Sequence, residues 1–303
     1  MAVSPQIGPA LSAAETQASP KRPALWRSLM RQPLPAAGAI VFAVLVLLAI
    51  LAPWLSPVPA DAAGAVNPGQ ALLPPFSPGH PLGTTQLGQD LLTLVLYGGR
   101  ISLSAAAIAI AAALVIGVPL GAIAGYAGGA IDEAIMRFTD VVLAFPSMLL
   151  ALAIAAALGP SLTNAILAIA LTWWPWYTRL VRSQVMVVKG RGFVEAGRLA
   201  GVRTGRMLVR HVVPNALTPL IVQASMDYSS VILTLASLSF LGLGAQPPTP
   251  EWGLLVSEGR NNVLTAWWYV TFPGLAIFLA VAALNFVGDG LHEALDPRRG
   301  GAL

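Results

Sequence analysis

Long apolar stretches alternate along this chain with short segments that carry charge, proline or glycine. Five of the apolar stretches contain no Asp, Glu, Lys or Arg: 32–60, 101–131, 141–178, 228–250 and 261–288. A helix that crosses the hydrocarbon layer needs about 20 apolar residues, so the third stretch has room for two, separated by the turn residues Gly159-Pro160-Ser161. The pattern predicts an all-α integral membrane protein with six transmembrane helices, at Pro35–Trp54, Ile101–Gly125, Val141–Leu158, Asn164–Val181, Asn215–Leu238 and Trp268–Val287.

The positions of the cations predict the orientation, because Lys and Arg concentrate on the cytoplasmic flanks of membrane helices. With the N-terminus inside, all of the 17 Lys+Arg except Arg100 and Arg260 lie on the cytoplasmic side. We therefore predict that both termini are cytoplasmic. A cleavable secretory signal ending near residues 60–62 is the alternative for the first span, but the apolar stretch exceeds a typical signal core and cleavage would leave five helices.

The order of the segments predicts the organisation of the chain: a cytoplasmic tail (1–34), a first helix (35–54), an extracytoplasmic loop (55–100), a five-helix core (101–288) with a cytoplasmic loop (182–214), and a cytoplasmic tail (289–303). Proline at the start of the first external loop predicts an irregular cap, and residues 87–97 regain a helical pattern that we expect to lie along the membrane face. In the second external loop, Trp252, Trp267 and Trp268 are expected to anchor at the membrane interface.

Composition excludes several kinds of chemistry. The 303 residues are 56% hydrophobic and 10% charged, whereas charged residues make up about a quarter of an ordinary soluble protein. Cysteine is absent, which excludes disulfides, thiolate metal sites and cysteine nucleophiles. His80, His211 and His292 lie outside the predicted spans, and no HExxH motif or paired intramembrane carboxylates occur. An intramembrane enzyme is therefore disfavoured.

The cytoplasmic loop 182–214 is rich in Arg and Lys, and Glu195 is its one acidic residue. We predict one helix at Val194–Ala200 and another at Thr204–Val213, with Gly201 in the left-handed conformation that ends a helix. The simpler interpretation is a positively charged loop that only fixes the orientation of the chain in the membrane. Nucleic acid is not an expected partner, because the basic residues lie in a short tether between two spans.

The same loop resembles the cytoplasmic loop of permease subunits of ATP-binding cassette (ABC) importers. Their signature has Glu-Ala-Ala, then Gly after three residues, then nine residues before Ile-x-Leu-Pro. The spacing is kept here by Glu195-Ala196-Gly197, Gly201 and His211-Val212-Val213-Pro214. Gly197 departs from the pattern by replacing the second alanine, and His211 by replacing isoleucine.

Three further stretches resemble the peptide-transporting branch of these importers, at 80–103, 238–253 and 285–298. The resemblance covers residues 25 to 299 and identifies the chain as similar to the C-type permease subunit of dipeptide, oligopeptide or nickel importers. It implies a type I ABC importer permease fold in the bacterial inner membrane. The function it implies is peptide import coupled to ATP hydrolysis; the alternative is import of nickel chelates, glutathione or opines by the same machinery.

The resemblance also implies the partners. These are a homologous second permease subunit, two ATPase subunits, an extracytoplasmic solute-binding protein and membrane lipid. The sequence has no Gly-x-x-x-x-Gly-Lys-Ser/Thr loop, so we expect no cofactor in this chain and expect ATP and Mg²⁺ to be bound by the ATPase subunits. An autonomous channel or ion-driven carrier is a third interpretation, which predicts transport without an ATPase.

By the resemblance, the loop couples the permease to the ATPase. The expected coupling residues are Glu195, Ala196, Gly197, Arg198, Ala200, Gly201, His211 and Pro214. A carboxylate near a helix start is favoured by the helix dipole, so Glu195 can meet a basic group of the ATPase. Small residues would let the helix sit deeply, and the arginines could pair with the ATPase or with anionic lipid.

The translocation pathway is less evident from the sequence. Asp227 lies near the middle of the fifth predicted span, and a carboxylate in a membrane should face a polar cavity or a partner. Gln223 and Ser230 share its helical face at spacings of four and three. Two interpretations stay open: these residues line the pathway and touch a peptide amine, or Asp227 pairs with a neighbouring subunit.

Overall fold

The computed structural model describes residues 32–295, and the predicted tails fall largely outside that range. Its regular secondary structure is helical, with short 3₁₀ turns and one π-helical turn, Leu208–Val212. The helices are α1 Pro33–Leu55, α2 Leu91–Ala127, α3 Gly129–Leu143, α4 Ser147–Leu158, α5 Leu162–Lys189, α6 Gly192–Leu199, α7 Thr204–Met207, α8 Val213–Ala216, α9 Thr218–Phe240, α10 Trp252–Gly259 and α11 Trp267–Leu295.

The number of membrane crossings is four or five by length and apolar character within residues 32–295. Helices α1, α2, α9 and α11 qualify individually, and α3 with α4 would form a fifth crossing if the pair is counted as one bent span. The 28-residue α5 does not qualify, because its second half is polar and carries Arg179, Arg182 and Lys189. The count of six spans, with both termini inside, stays a prediction.

The predicted helices differ in their bounds from those in the structure, where α5 extends to Lys189 and α11 to Leu295, and two of the differences have a local cause. The single helix expected at Val141–Leu158 is wrong: the chain breaks at Pro146, and α3 and α4 meet at 86°. Proline lacks the amide hydrogen and disfavours helical backbone in the residue before it. The second helix begins at Leu91, ten residues before the expected Ile101, because the Asp90 side chain accepts a hydrogen bond from Thr93 N (2.8 Å) and caps it.

The centre of the fold is the contact between α2 and α5. Three glycines one turn apart on α2, Gly117, Gly121 and Gly125, bring its backbone against α5. A Cβ on Gly117 would lie 2.7 Å from Trp174 O, and one on Gly125 would lie 2.7 Å from Arg182 O. The Thr178 hydroxyl donates to Gly117 O across the same contact (3.2 Å). Small residues of this kind allow the close backbone approach typical of membrane helices.

A buried polar group joins α2 to the second loop. Glu251 is fully buried at the start of α10, where it accepts hydrogen bonds from Ser102 Oγ (2.9 Å) and Leu254 N (3.0 Å). Burial raises the pKa of its carboxyl. The neighbouring Trp252 is also buried and donates from Nε1 to Val95 O (2.9 Å).

The interfacial role expected for the three tryptophans is therefore wrong for two of them. Trp252 and Trp268 are buried within the protein, and Trp268 donates from Nε1 to Thr84 O (3.2 Å). Only Trp267 is exposed. Of the segment 87–97, expected to lie along the membrane face, the residues from Leu91 onward form the start of α2, and Leu91 and Leu94 are buried in a small core with Trp268. The indole N–H groups of Trp252 and Trp268 therefore bind backbone carbonyls within the protein rather than lipid headgroups.

Candidate functional site

The segment 190–216, here called the elbow, has the predicted helix–turn–helix form, but the second helix expected at Thr204–Val213 consists of α7, the π-helical turn and the first residue of α8. Gly201 ends α6 with φ +77°, and its N–H donates to Arg198 O (3.0 Å) while Val202 N donates to Gly197 O (3.0 Å). This pair of bonds is the Schellman arrangement, which requires a left-handed residue. The expectation for Gly201 is confirmed at the level of backbone conformation. Pro214 lies in the short helix α8, and the exposed His211 precedes it in the π-helical turn.

Helix α6 has an inner side and an outer side. Val194 is fully buried on the inner side together with Met207 from α7. Glu195, Ala196, Leu199 and Ala200 are exposed on the outer side, and 86% of Leu199 is accessible. The outer side therefore presents one carboxylate, two methyl groups and one leucine, and Phe193 in the first turn of α6 is also exposed.

Gly197 does not belong to the outer side. A Cβ at this position would overlap the Cε methyl of Met207. The methionine methyl thus occupies the space beside Gly197 that the usual alanine methyl would take. The flexible thioether makes methionine suited to filling such a gap.

Tyr126 at the end of α2 holds the elbow against the helical core. Arg198 of α6 lies over its ring at 5.3 Å, and Lys189 of α5 lies over it at 5.5 Å from the centroid. The Lys189 ammonium also donates to the Tyr126 carbonyl (2.6 Å). Arg198, expected to face the ATPase or lipid, therefore has an aromatic partner within the chain. Such cation–π contacts are worth about 0.5–1 kcal/mol at exposed sites.

Replacing Tyr126 by leucine is expected to loosen the elbow, because both cations lose the ring face. We expect faster proteolysis in segment 190–216 by trypsin, which cuts after Arg and Lys, with Tyr126→Phe close to the wild type because it keeps the ring. Mass spectrometry of the fragments measures the rate at each site. Equal rates for the leucine and phenylalanine variants would contradict a role for the ring.

A second feature is a cavity of about 560 Å³ between α5, α9 and the start of α4, here called the cavity. The predicted pathway residues Gln223, Asp227 and Ser230 all line it, and Gln223 Nε2 donates to Asp227 Oδ1 (2.9 Å). Their common helical face, expected from the spacing, is thus observed. The other lining residues are Ser147, Trp173, Trp176, Arg179 and Leu180.

Charged pairs join α3 to α5 beside the cavity. Arg182 forms two hydrogen bonds with Asp132 (2.5 and 2.6 Å) in a partly buried position, and Arg179 is paired with Asp140. A bidentate pair between arginine and a carboxylate fixes geometry as well as charge. The Arg179 side chain therefore reaches the cavity wall with its guanidinium already bound to a carboxylate.

Sequence reasoning did not identify Tyr126 or Arg179 as parts of these sites. For Arg179 a signal existed: Trp173, Trp176 and Leu180 recur at helical spacing on one face of α5, and Arg179 adjoins that face. Tyr126 had no such signal, because the residues that stack on it are 63 and 72 positions away along the chain.

Comparison with known proteins agrees with this architecture. Residues 117–301 match the family described as "Binding-protein-dependent transport system inner membrane component", and residues 24–75 match the "N-terminal TM domain of oligopeptide transport permease C". The dipeptide transport system permease protein DppC of Alkalihalophilus pseudofirmus is 44% identical over 93% of this chain and 91% of its own length. The glutathione transport system permease protein GsiD of Pectobacterium atrosepticum is 40% identical over 90% of each chain.

A solved structure of the MetNI methionine ABC transporter in an inward-facing conformation has a similar fold. It aligns with a TM-score of 0.54 and 16% identity, covering 67% of this chain and 97% of that chain. At this identity the likeness concerns the fold alone, which is that of a type I ABC importer permease.

The chain therefore belongs to the family of inner-membrane components of binding-protein-dependent transport systems, the permease subunits of ABC importers. Within that family it is a C-type permease, as the match of its N-terminal region and the identity with DppC indicate. The predictions of a multi-pass bacterial inner-membrane protein and of a transport subunit rather than an enzyme are confirmed.

Proposed function

We propose that the chain forms part of the pathway by which short peptides are imported, and that its elbow couples this movement to ATP hydrolysis on partner subunits. The named substrates of the two relatives, a dipeptide and glutathione, are both small molecules with peptide backbones. Import of glutathione by the same machinery is the alternative for which a relative exists. Nickel chelates and opines are further alternatives.

The main support for the coupling role is the exposed outer side of α6. It combines Glu195 in the first turn with the small residues Ala196 and Ala200. Small residues let a helix approach the wall of a groove closely, exposed apolar side chains such as Leu199 can fill pockets in it, and a carboxylate in the first turn is favoured by the helix dipole. The exposed Arg203, Arg206 and Arg210 add positive charge beside it, which suits an acidic protein surface or anionic lipid.

The complete transporter would contain a homologous second permease, two ATPase subunits and an extracytoplasmic solute-binding protein. ATP and Mg²⁺ would be held by the ATPase subunits, and this chain would hold no cofactor. Closing of the two ATPases would move the elbows as rigid bodies and change which side of the membrane the cavity faces. Tyr126 supports this proposal, because it ties α6 to the ends of α2 and α5.

Reversal of the charge at position 195 tests the coupling role. In the reconstituted complex, Glu195→Lys is expected to lower ATPase activity stimulated by the loaded binding protein at least tenfold, because the carboxylate would be replaced by a cation facing the same groove. Glu133→Lys is the matched control, since Glu133 is exposed on α3 and pairs only with Arg137 among the described residues. Both variants should insert into the membrane normally. Stimulated hydrolysis at the wild-type level in Glu195→Lys would reject the coupling role.

A further inference from the structure

The cavity contains an acidic group without a cationic partner among residues 32–295. Asp227 lies in the middle of α9, where the neutral amide of Gln223 donates to its Oδ1 (2.9 Å) and the neutral hydroxyl of the buried Tyr177 interacts with the same carboxylate. Within residues 32–295, no Lys, Arg or His forms a salt bridge with Asp227. Arg179 lines the same cavity, but it is paired with Asp140. A carboxylate within a membrane protein is costly to keep charged without a counter-ion, so this site favours a cation from outside the described chain.

The shape of the cavity limits what that cation can be. A volume of about 560 Å³ lies within the range of roughly 300–1,000 Å³ that small-molecule sites have, which is far more than a metal ion or a water molecule requires. Within residues 32–295 no cluster of acidic or histidine side chains could hold a metal ion. The cavity therefore suits an organic cation with a body of several atoms.

The remaining lining groups fit a peptide. Trp173 and Trp176 offer ring faces on α5, and such faces attract both apolar groups and cations. Ser230 and Gln223 lie one turn on either side of Asp227 and can hydrogen-bond to amide groups. The cavity thus offers one carboxylate, two indole rings and flanking neutral donors. This set matches an ammonium group attached to a short peptide backbone with a side chain.

We propose that Asp227 binds the terminal ammonium group of the peptide while it passes through the cavity. This inference rests on the proposed function and adds the chemical group that the pathway recognises. Gln223 orients the carboxylate by donating to Oδ1, and the other oxygen accepts from the ammonium group. The site would favour peptides with a free amino terminus during translocation, in addition to any selection by the binding protein.

The test uses the complete transporter in proteoliposomes with dialanine as the transported probe. Asp227→Asn is expected to lower dialanine uptake at least tenfold, whereas Asp227→Glu retains most of it because the charge is kept. Glu133→Gln, which removes an exposed carboxylate on α3, is the control and should transport at the wild-type rate. Affinity of the binding protein for dialanine is unaffected, since that site is on another polypeptide.

Two further readouts separate this proposal from its rivals. ATPase stimulation by the loaded binding protein should persist in Asp227→Asn, and the second permease should co-purify as with the wild type. Loss of co-purification would instead assign Asp227 to a structural pair with the neighbouring subunit and overturn the proposal. Uptake within twofold of the wild type would overturn it as well. If the wild-type complex does not import dialanine, the proposed peptide substrate itself is wrong.

Discussion

Proline in place of Gly201 is expected to abolish coupled transport while leaving the membrane helices intact. Gly201 has φ +77°, whereas the proline ring fixes φ near −65°, so the turn cannot form. The substitution also removes the N–H that donates to Arg198 O (3.0 Å). Without the turn, α6 loses its angle to α7, and the outer side of α6 loses the orientation that the proposed contact with the ATPase requires. We expect stimulated ATPase activity and peptide uptake to fall more than tenfold in reconstituted complexes.

The same elbow supplies a matched control. Gly192 is the first residue of α6, and no atom lies within 4 Å of a Cβ built on it. Proline is favoured at the first helical position, and the preceding Arg191 already has the extended backbone (ψ 144°) that proline requires. Gly192→Pro should therefore keep near wild-type activity. Equal loss in both variants would mean that any proline in the elbow is harmful, and the left-handed turn would not be the cause.

Valine in place of Gly121 is expected to destabilise the whole protein strongly. A Cβ at this position would overlap the Thr178 carbonyl oxygen and lie 2.9 Å from Val181 Cβ. Backbone atoms cannot rotate away, so α2 and α5 must separate along their main contact. Overpacking of this kind typically costs about 1–3 kcal/mol or more. The thermal midpoint of the purified complex in detergent should fall by several degrees, as measured by size-exclusion chromatography after heating.

Gly274 provides the comparison for Gly121, because it also lies inside a long helix, α11, with no atom within 4 Å of a built Cβ. Gly274→Val should change the midpoint little. A similar fall for both variants would show that β-branching within the helix, rather than the contact between α2 and α5, is responsible.

The elbow was largely predictable from local sequence. Its two helices and the turn between them depend on residues within a few positions of one another, and the hydrogen bonds around Gly201 join residues three and five apart. The shared face of Gln223, Asp227 and Ser230 was predictable for the same reason, since helical spacing alone brings them together. The break at Pro146 also had a local cause. The prediction missed it because the long apolar run around the proline indicated one continuous helix.

Contacts between distant segments were not predictable in this way. The burial of Trp252 depends on α2, which passes more than 150 positions earlier in the sequence. Met207 fills the space beside Gly197 only because the turn brings α7 back onto α6. Amphipathic residues such as tryptophan suit both a membrane interface and a buried site with a hydrogen-bond acceptor. The residue type alone therefore does not tell which of these two locations a tryptophan occupies.

By itself, the sequence determined the helical class, the elbow and the family of this protein. Helix formation and turns depend on hydrogen bonds and steric effects between neighbours in the chain, and family motifs are strings of neighbours. Only the tertiary structure shows that Tyr126 holds the elbow. It also shows that Arg179 is paired with Asp140, so that Asp227 has no cationic partner within residues 32–295. Charge neutralisation and packing depend on distances in space, and segments far apart in sequence set those distances.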